Sequence, residues 1–107
     1  MLIKSKNNKF KVTKCKSLLS QSLGLMFKFP KNDGLLFEFK KERSISLHMF
    51  FVFIKIDIVY LNKNKKVIKI KKNKKPFTPF IKGIKSKYIL ELKDSKNVKL
   101  GEKLKFS

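Results

Sequence analysis

Residues 44–61, SISLHMFFVFIKIDIVYL, form the densest apolar run in the chain, and their reading decides the fold. From Ser44 to Phe53 the apolar residues occupy odd positions (Ile45, Leu47, Met49, Phe51, Phe53), the period of two that marks a half-buried strand. From Ile54 to Tyr60 they occupy even positions (Ile54, Ile56, Ile58, Tyr60). A slip of one residue turns every side chain to the opposite face, so the change of parity demands a bulge or a turn. The run therefore reads as two core strands with a backbone irregularity between Phe51 and Lys55.

Outward from this pair, the other segments alternate in the same way. Phe10 and Val12 begin a short strand after a polar start, residues 1–8, which reads as a flexible segment or an edge extension. Leu19, Leu23 and Met26 follow helical spacing, with Ser17 as N-cap and Pro30 as terminator, and predict one short helix near residues 17–27. After the Asn32-Asp33-Gly34 turn, GLLFEF predicts a strand, and Lys40 to Arg43 link it to the central pair. Val67 to Ile70 reads as the partner of a hairpin whose turn, residues 62–66, lacks glycine. Residues 71–86, with two prolines and no sustained period, read as a loop whose Phe77, Phe80 and Ile81 could cover a sheet edge. Tyr88, Leu90 and Leu92 alternate with Ile89 and Glu91 in a further strand, and a Gly101-Glu102 turn leads to a last one. The expected fold is mainly β: an antiparallel β-sandwich or partly open barrel with one short helix, as a single domain over residues 9–107.

Composition agrees. Eleven Phe and many Ile, without Ala or Trp, suit a pleated surface rather than helices, and 107 residues suffice for one core. The formal charge of +21 would draw polyanions. Among 28 basic residues, however, only Arg43 is an arginine, and the wealth of Lys, Asn, Ile and Phe follows A/T-rich codons. Coding bias is therefore the blander source of the charge, because arginine is the better phosphate fork. Lys63, Lys65, Lys66, Lys69, Lys71, Lys72, Lys74 and Lys75 crowd the most basic stretch and are the candidate anion-binding residues, with weak, salt-sensitive polyanion binding as the expectation.

One cysteine, Cys15, fits a reducing compartment, and the start MLIKSKNNKFKV lacks the apolar core of a secretory signal, so a cytoplasmic location is expected. No apolar run approaches the length of a membrane-spanning helix. A single His and a single Cys rule out a zinc cluster of those ligands in one chain. The scattered glycines form no phosphate loop, so no metal or organic cofactor is expected. Asp57, a carboxylate between Ile56 and Ile58, is the first candidate functional residue, as a desolvated acid; the plainer reading has it facing solvent or binding a turn amide. His48 is the second, alternating with Ser44 and Ser46 on a polar strand face, for which a solvated surface is the plainer reading.

SLGLMFKFP, then DGLLFEF, then a Met-bearing strand leading into IDIVYL, with YILEL and LGEKLKF downstream, resemble the small prokaryotic domain of unknown function 192, also called uncharacterised protein family 0127. The matching residues are Gly24, Leu25, Met26 and Lys28; Gly34 to Phe37; Met49; Ile56, Asp57 and Ile58; Leu90, Glu91 and Leu92; and Gly101 with Glu102. Where the family carries Asn-Thr and Pro between the Met and the Asp, this chain has Phe51, Val52 and Lys55. The resemblance implies a β-sandwich-like domain with one helix and supplies no reaction. Glu91 and Glu102 fall in a strand and a turn, where surface ion pairing with lysines is expected. With no convergent catalytic set apparent, the expected function is a non-enzymatic binding or accessory module. The alternatives are non-specific nucleic-acid binding and, behind it, an enzyme using Asp57.

Overall fold

Branched and aromatic residues at alternating positions build seven strands: β1 (Leu2–Lys4), β2 (Lys9–Cys15), β3 (Gly34–Arg43), β4 (Ile56–Leu61), β5 (Val67–Lys74), β6 (Ser86–Leu92) and β7 (Lys105–Phe106). They form one sheet in the order β5-β4-β6-β3-β2-β1-β7 in a computed structural model that describes residues 1–15, 33–46, 55–75 and 80–107. Every pairing is antiparallel except that of β2 with β3. The sheet curls until its two ends approach. The Val67 amide donates to the Glu102 carbonyl at 2.8 Å, the Gly101 amide to the Val67 carbonyl at 2.8 Å, and Lys66 bridges Lys103. The expected partly open barrel is thus the observed form, a mixed half-barrel laced shut by the segment after β6.

Curling gives the sheet an inside and an outside, and both are apolar at its centre. Ile3, Phe10, Val12, Leu36, Val59, Leu61, Leu90, Leu92, Val98 and Leu104 fill the inside. Leu35, Phe37, Phe39, Ile56, Ile58, Tyr60, Ile81 and Ile89 form the outside cluster, against which Ile45 and Ile84 pack. β4 is consequently buried along its whole length, which explains why IDIVYL reads as a nearly continuous apolar run.

The described residues contain no helix, and the expected helix near residues 17–27 lies outside them, as do the parity change at Phe53 and Ile54 and His48. Other expectations are corrected. Of the two readings of residues 1–8, the flexible segment gives way to the edge extension: β1 joins the sheet next to β7 and Ile3 is fully buried, though a three-residue strand with one inward side chain leaves no period to read. Lys40 to Arg43 continue β3 past a register shift after Glu38. β5 runs on to Lys74 through residues expected to be loop, since main-chain pairing to β4 requires no apolar alternation. Phe80 is exposed, and of the residues expected to cover the sheet, Ile81 is the one shown to do so.

The glycine-free turn between β4 and β5 is built by Asn62. Its side-chain oxygen accepts the amides of Asn64 at 2.9 Å and Lys66 at 3.1 Å, and Lys65 takes the left-handed conformation at φ 63°. Gly34 is demanded by close approach. A Cβ there would stand 1.9 Å from the Glu91 carbonyl oxygen. Gly34→Ala should therefore force β3 from β6 at the centre of the sheet and destabilise the domain by about 3 kcal/mol in denaturant melts, whereas Gly83→Ala should act only on the contact with Ile45.

Candidate functional site

Asp57 stands on the inward parity of β4, yet it serves the backbone. Between Ile56 and Ile58 the β4–β5 register slips, because β5 carries an extra residue there, and Asn73 adopts a left-handed φ of 58°. The slip frees an amide from the ladder. Asp57 Oδ1 accepts it, from Asn73 at 2.8 Å, while Oδ2 accepts the Ser95 amide and the Ser95 hydroxyl, each at 2.8 Å. Burial pushes this carboxyl up, but those three donors and the Lys72 charge outweigh it and hold it below its ordinary value of 3.8. The turn-amide reading of Asp57 is the one its hydrogen bonds support.

Most other carboxylates are spent in the same way. Of the seven acidic residues, Asp33 accepts the Lys11 amide, Glu42 that of Lys63, Asp94 that of Lys96 and Glu102 that of Lys6. Glu38 pairs with Lys14 at 3.0 Å. Glu91 is the exception and a correction: instead of facing lysines it is 2% exposed on the outer face, and burial pushes its carboxyl up to about 8. The acidic side chains thus cap main chain, and most of the lysine charge is left without a carboxylate against it.

Six lysines line two clefts at one end of the half-barrel. A cleft of about 500 Å³ is lined by Lys4, Ser5, Lys6, Asn7, Asn8, Lys9 and Lys96, and a second, of about 320 Å³, by Lys4, Ser5, Lys6, Lys103 and Lys105. Neither has an acidic lining residue. The turn between them is held by the Asn8 amide on Ser5 Oγ at 3.0 Å and by Asn8 Nδ2 on Asn97 Oδ1. Lys96 is placed from below: its φ is 53°, its amide donates to Asp94, and its carbonyl accepts Lys72 Nζ at 3.0 Å.

The lysines picked out by sequence divide. Lys72 reaches this end through Lys96, Lys66 adjoins it through Lys103, and Lys65 Nζ stands 4.9 Å from the centre of the Phe106 ring. Lys71 turns the other way, donating to the Lys82 carbonyl at 2.5 Å above the Tyr60 ring. Lys63, Lys69, Lys74 and Lys75 line neither cleft. Lys4, Lys6, Lys9, Lys96, Lys103 and Lys105 were missed because they are far apart in sequence; the turn-forming SKNN between two lysine-flanked strands was the available signal. Among the described residues no three His, Cys, Asp or Glu side chains could hold a metal ion, and no helix is long and apolar enough to cross a membrane.

A curled, mostly antiparallel sheet with a lysine-lined end defines a small β half-barrel module. The chain belongs to the DUF192 family, described as an uncharacterised ACR, whose model matches residues 1–106. A UPF0127 protein of Pyrococcus horikoshii is 34% identical over 96 residues, 84% of this chain and 82% of the relative. Two solved structures share the fold at 19% identity and a TM-score of 0.82. One, a protein of unknown function from Novosphingobium aromaticivorans, is matched over 98% of this chain and 82% of its own. The other, a Sinorhizobium meliloti protein whose description proposes a transcription regulator, is matched over 97% and 89%.

Two outcomes follow for the carboxylates. Asp57→Ala leaves the amides of Asn73 and Ser95 without their acceptor and should cost about 3 kcal/mol in chemical denaturation. Because the folded pKa of Asp57 lies below its unfolded value, its contribution is present above pH 3.8 and lost as pH falls through the folded value; the variant should lose that limb. Glu91 has the opposite sign. Folded, it keeps its proton up to about pH 8, so stability is full below pH 4.5 and declines between pH 4.5 and 8 by up to about 1.4 kcal/mol per unit, with no further loss from this group above 8. Glu91→Gln should remove this decline from melts recorded over that range.

Proposed function

We propose that the protein is a non-enzymatic cytoplasmic module that binds polyanions, single-stranded or duplex nucleic acid among them, through the basic end. The observation that carries this reading is the pair of clefts sharing Lys4, Ser5 and Lys6 and lined by six lysines with no carboxylate. Asp94 and Glu102 approach this end on the amides of Lys96 and Lys6, but they are two acids against six lysines and neither lines a cleft. Lysine is a point charge rather than a planar fork, so recognition is of phosphate charge and not of base sequence. The description of the Sinorhizobium meliloti relative as a regulator of transcription is compatible with a nucleic-acid partner.

The test is fluorescence anisotropy with labelled oligonucleotides of unrelated sequence over a salt series. Affinity should fall linearly on logarithmic axes. Lys4→Gln/Lys6→Gln/Lys96→Gln should flatten the slope by about 0.7 per lost phosphate contact on single strands and about 0.9 on duplex. Lys69→Gln/Lys74→Gln, equal in kind but outside the clefts, should change it far less. Equal losses in both variants, or binding indifferent to salt, would sink the reading.

A further inference from the structure

Tyr60 and Glu91 stand apart from the basic end, on the outer face of the sheet. The β4–β6 register sets Tyr60 opposite Ile89 and Ile58 opposite Glu91, so the two polar residues are diagonal neighbours on one face, with Cα positions about 7–8 Å apart. Tyr60 is 0% exposed. Its hydroxyl and Glu91 Oε2 are buried, and neither finds a hydrogen-bond partner among the described residues. Buried polar atoms in folded proteins are almost always paired, and here two diagonal neighbours each carry one that is not. They share this face with the apolar side chains of Leu35, Phe37, Ile56, Ile58 and Ile89, and the Lys71 ammonium stands over the Tyr60 ring. Leucine and phenylalanine in their places would remove both orphans while preserving the packing, so the fold gains nothing from the oxygens.

We infer that Tyr60 and Glu91 form the polar end of a second binding site, which takes a small uncharged molecule with an apolar body and one carbonyl, amide or hydroxyl group. A phenol and a proton-bearing carboxyl each offer one donor and at least one acceptor, which suits a single group of that kind. Burial keeps both residues in their uncharged forms at neutral pH, pushing Tyr60 up to about 12 with help from the Glu91 charge. A cationic ligand would require an ionised Glu91 in apolar surroundings and would approach a chain of charge +21. Lys71 lies over the ring of Tyr60 at 5.5 Å and donates to the Lys82 carbonyl, and Lys87, on the same parity of β6 as Glu91, donates to the Phe39 and Lys40 carbonyls, so both lysines already hold main-chain oxygens.

Nile red, an uncharged apolar dye with one ring carbonyl, is the probe, read by its fluorescence on titration into the whole chain, with octanamide, octanoate and octylamine as competitors. The wild type should bind saturably at one site and release the dye to octanamide. Tyr60→Phe and Glu91→Leu should each weaken binding about tenfold, the loss of one hydrogen bond, and together abolish it with melting temperature unchanged or raised. Glu91→Gln, which still donates and accepts, should bind within a few-fold of wild type. Lys4→Gln/Lys6→Gln/Lys96→Gln should leave dye binding intact, which separates this site from the polyanion reading. Absence of saturable uptake, or unchanged affinity in Tyr60→Phe, would overturn the site; the latter removes one oxygen and stays informative if Glu91→Leu unfolds. Stronger displacement by octanoate or octylamine than by octanamide would overturn the ligand class.

Discussion

One carboxylate holds three parts of the molecule in register. Asp57 ties β4 to the bulged end of β5 through Asn73 and to the turn after β6 through Ser95. Without it the buried Ser95 amide would lose its acceptor, and the extra residue of β5 would lose the bond that fixes its place. Ser95 in turn precedes Lys96, which reaches the larger basic cleft, and the segment beyond it closes the half-barrel against Val67. The structural acid and the candidate ligand surface are thus joined through the turn that carries Ser95 and Lys96.

The same economy runs through the charge distribution. With seven acids against 28 bases, a chain of this kind could place each acid beside a lysine and recover some surface attraction. Exposed ion pairs contribute little, roughly 0–1 kcal/mol, because water already solvates both partners. A carboxylate on a main-chain amide at a turn secures geometry as well as energy, and the sequence uses Asp33, Glu42, Asp94 and Glu102 in that way.

Strand content was legible wherever both faces of the sheet alternate or are fully apolar, as in GLLFEF, IDIVYL and YILEL. It was illegible where pairing rests on main chain alone: β1 shows a single inward residue, and the far half of β5 presents lysines to solvent on a regular ladder. Curling could not be read at all, because it depends on Lys65 to Val67 meeting Gly101 to Leu104, a contact of high sequence separation with no pattern of its own. Asp57 was recognisable as special from its apolar flanks, though its partners Asn73 and Ser95 were not. Glu91 was misread for a related reason: alternation in YILEL assigns it to the face opposite Tyr88, Leu90 and Leu92, and only the second apolar layer makes that face an interior.

The lacing of the half-barrel also sets an order of events. Leu2 and Ser107 exchange main-chain hydrogen bonds at 3.0 and 2.9 Å, and residues 101–104 bind β5, so both seams join segments made at opposite times during synthesis. Until residues 105–107 have left the ribosome, β1 stands as an open strand edge, the form most exposed to pairing with another chain, while β5 keeps its edge beyond Val67 even in the finished fold. Lysines along β5 repel such partners. On this view part of the basic character guards the β5 edge, and the second cleft gains Lys103 and Lys105 only once β7 has paired with β1.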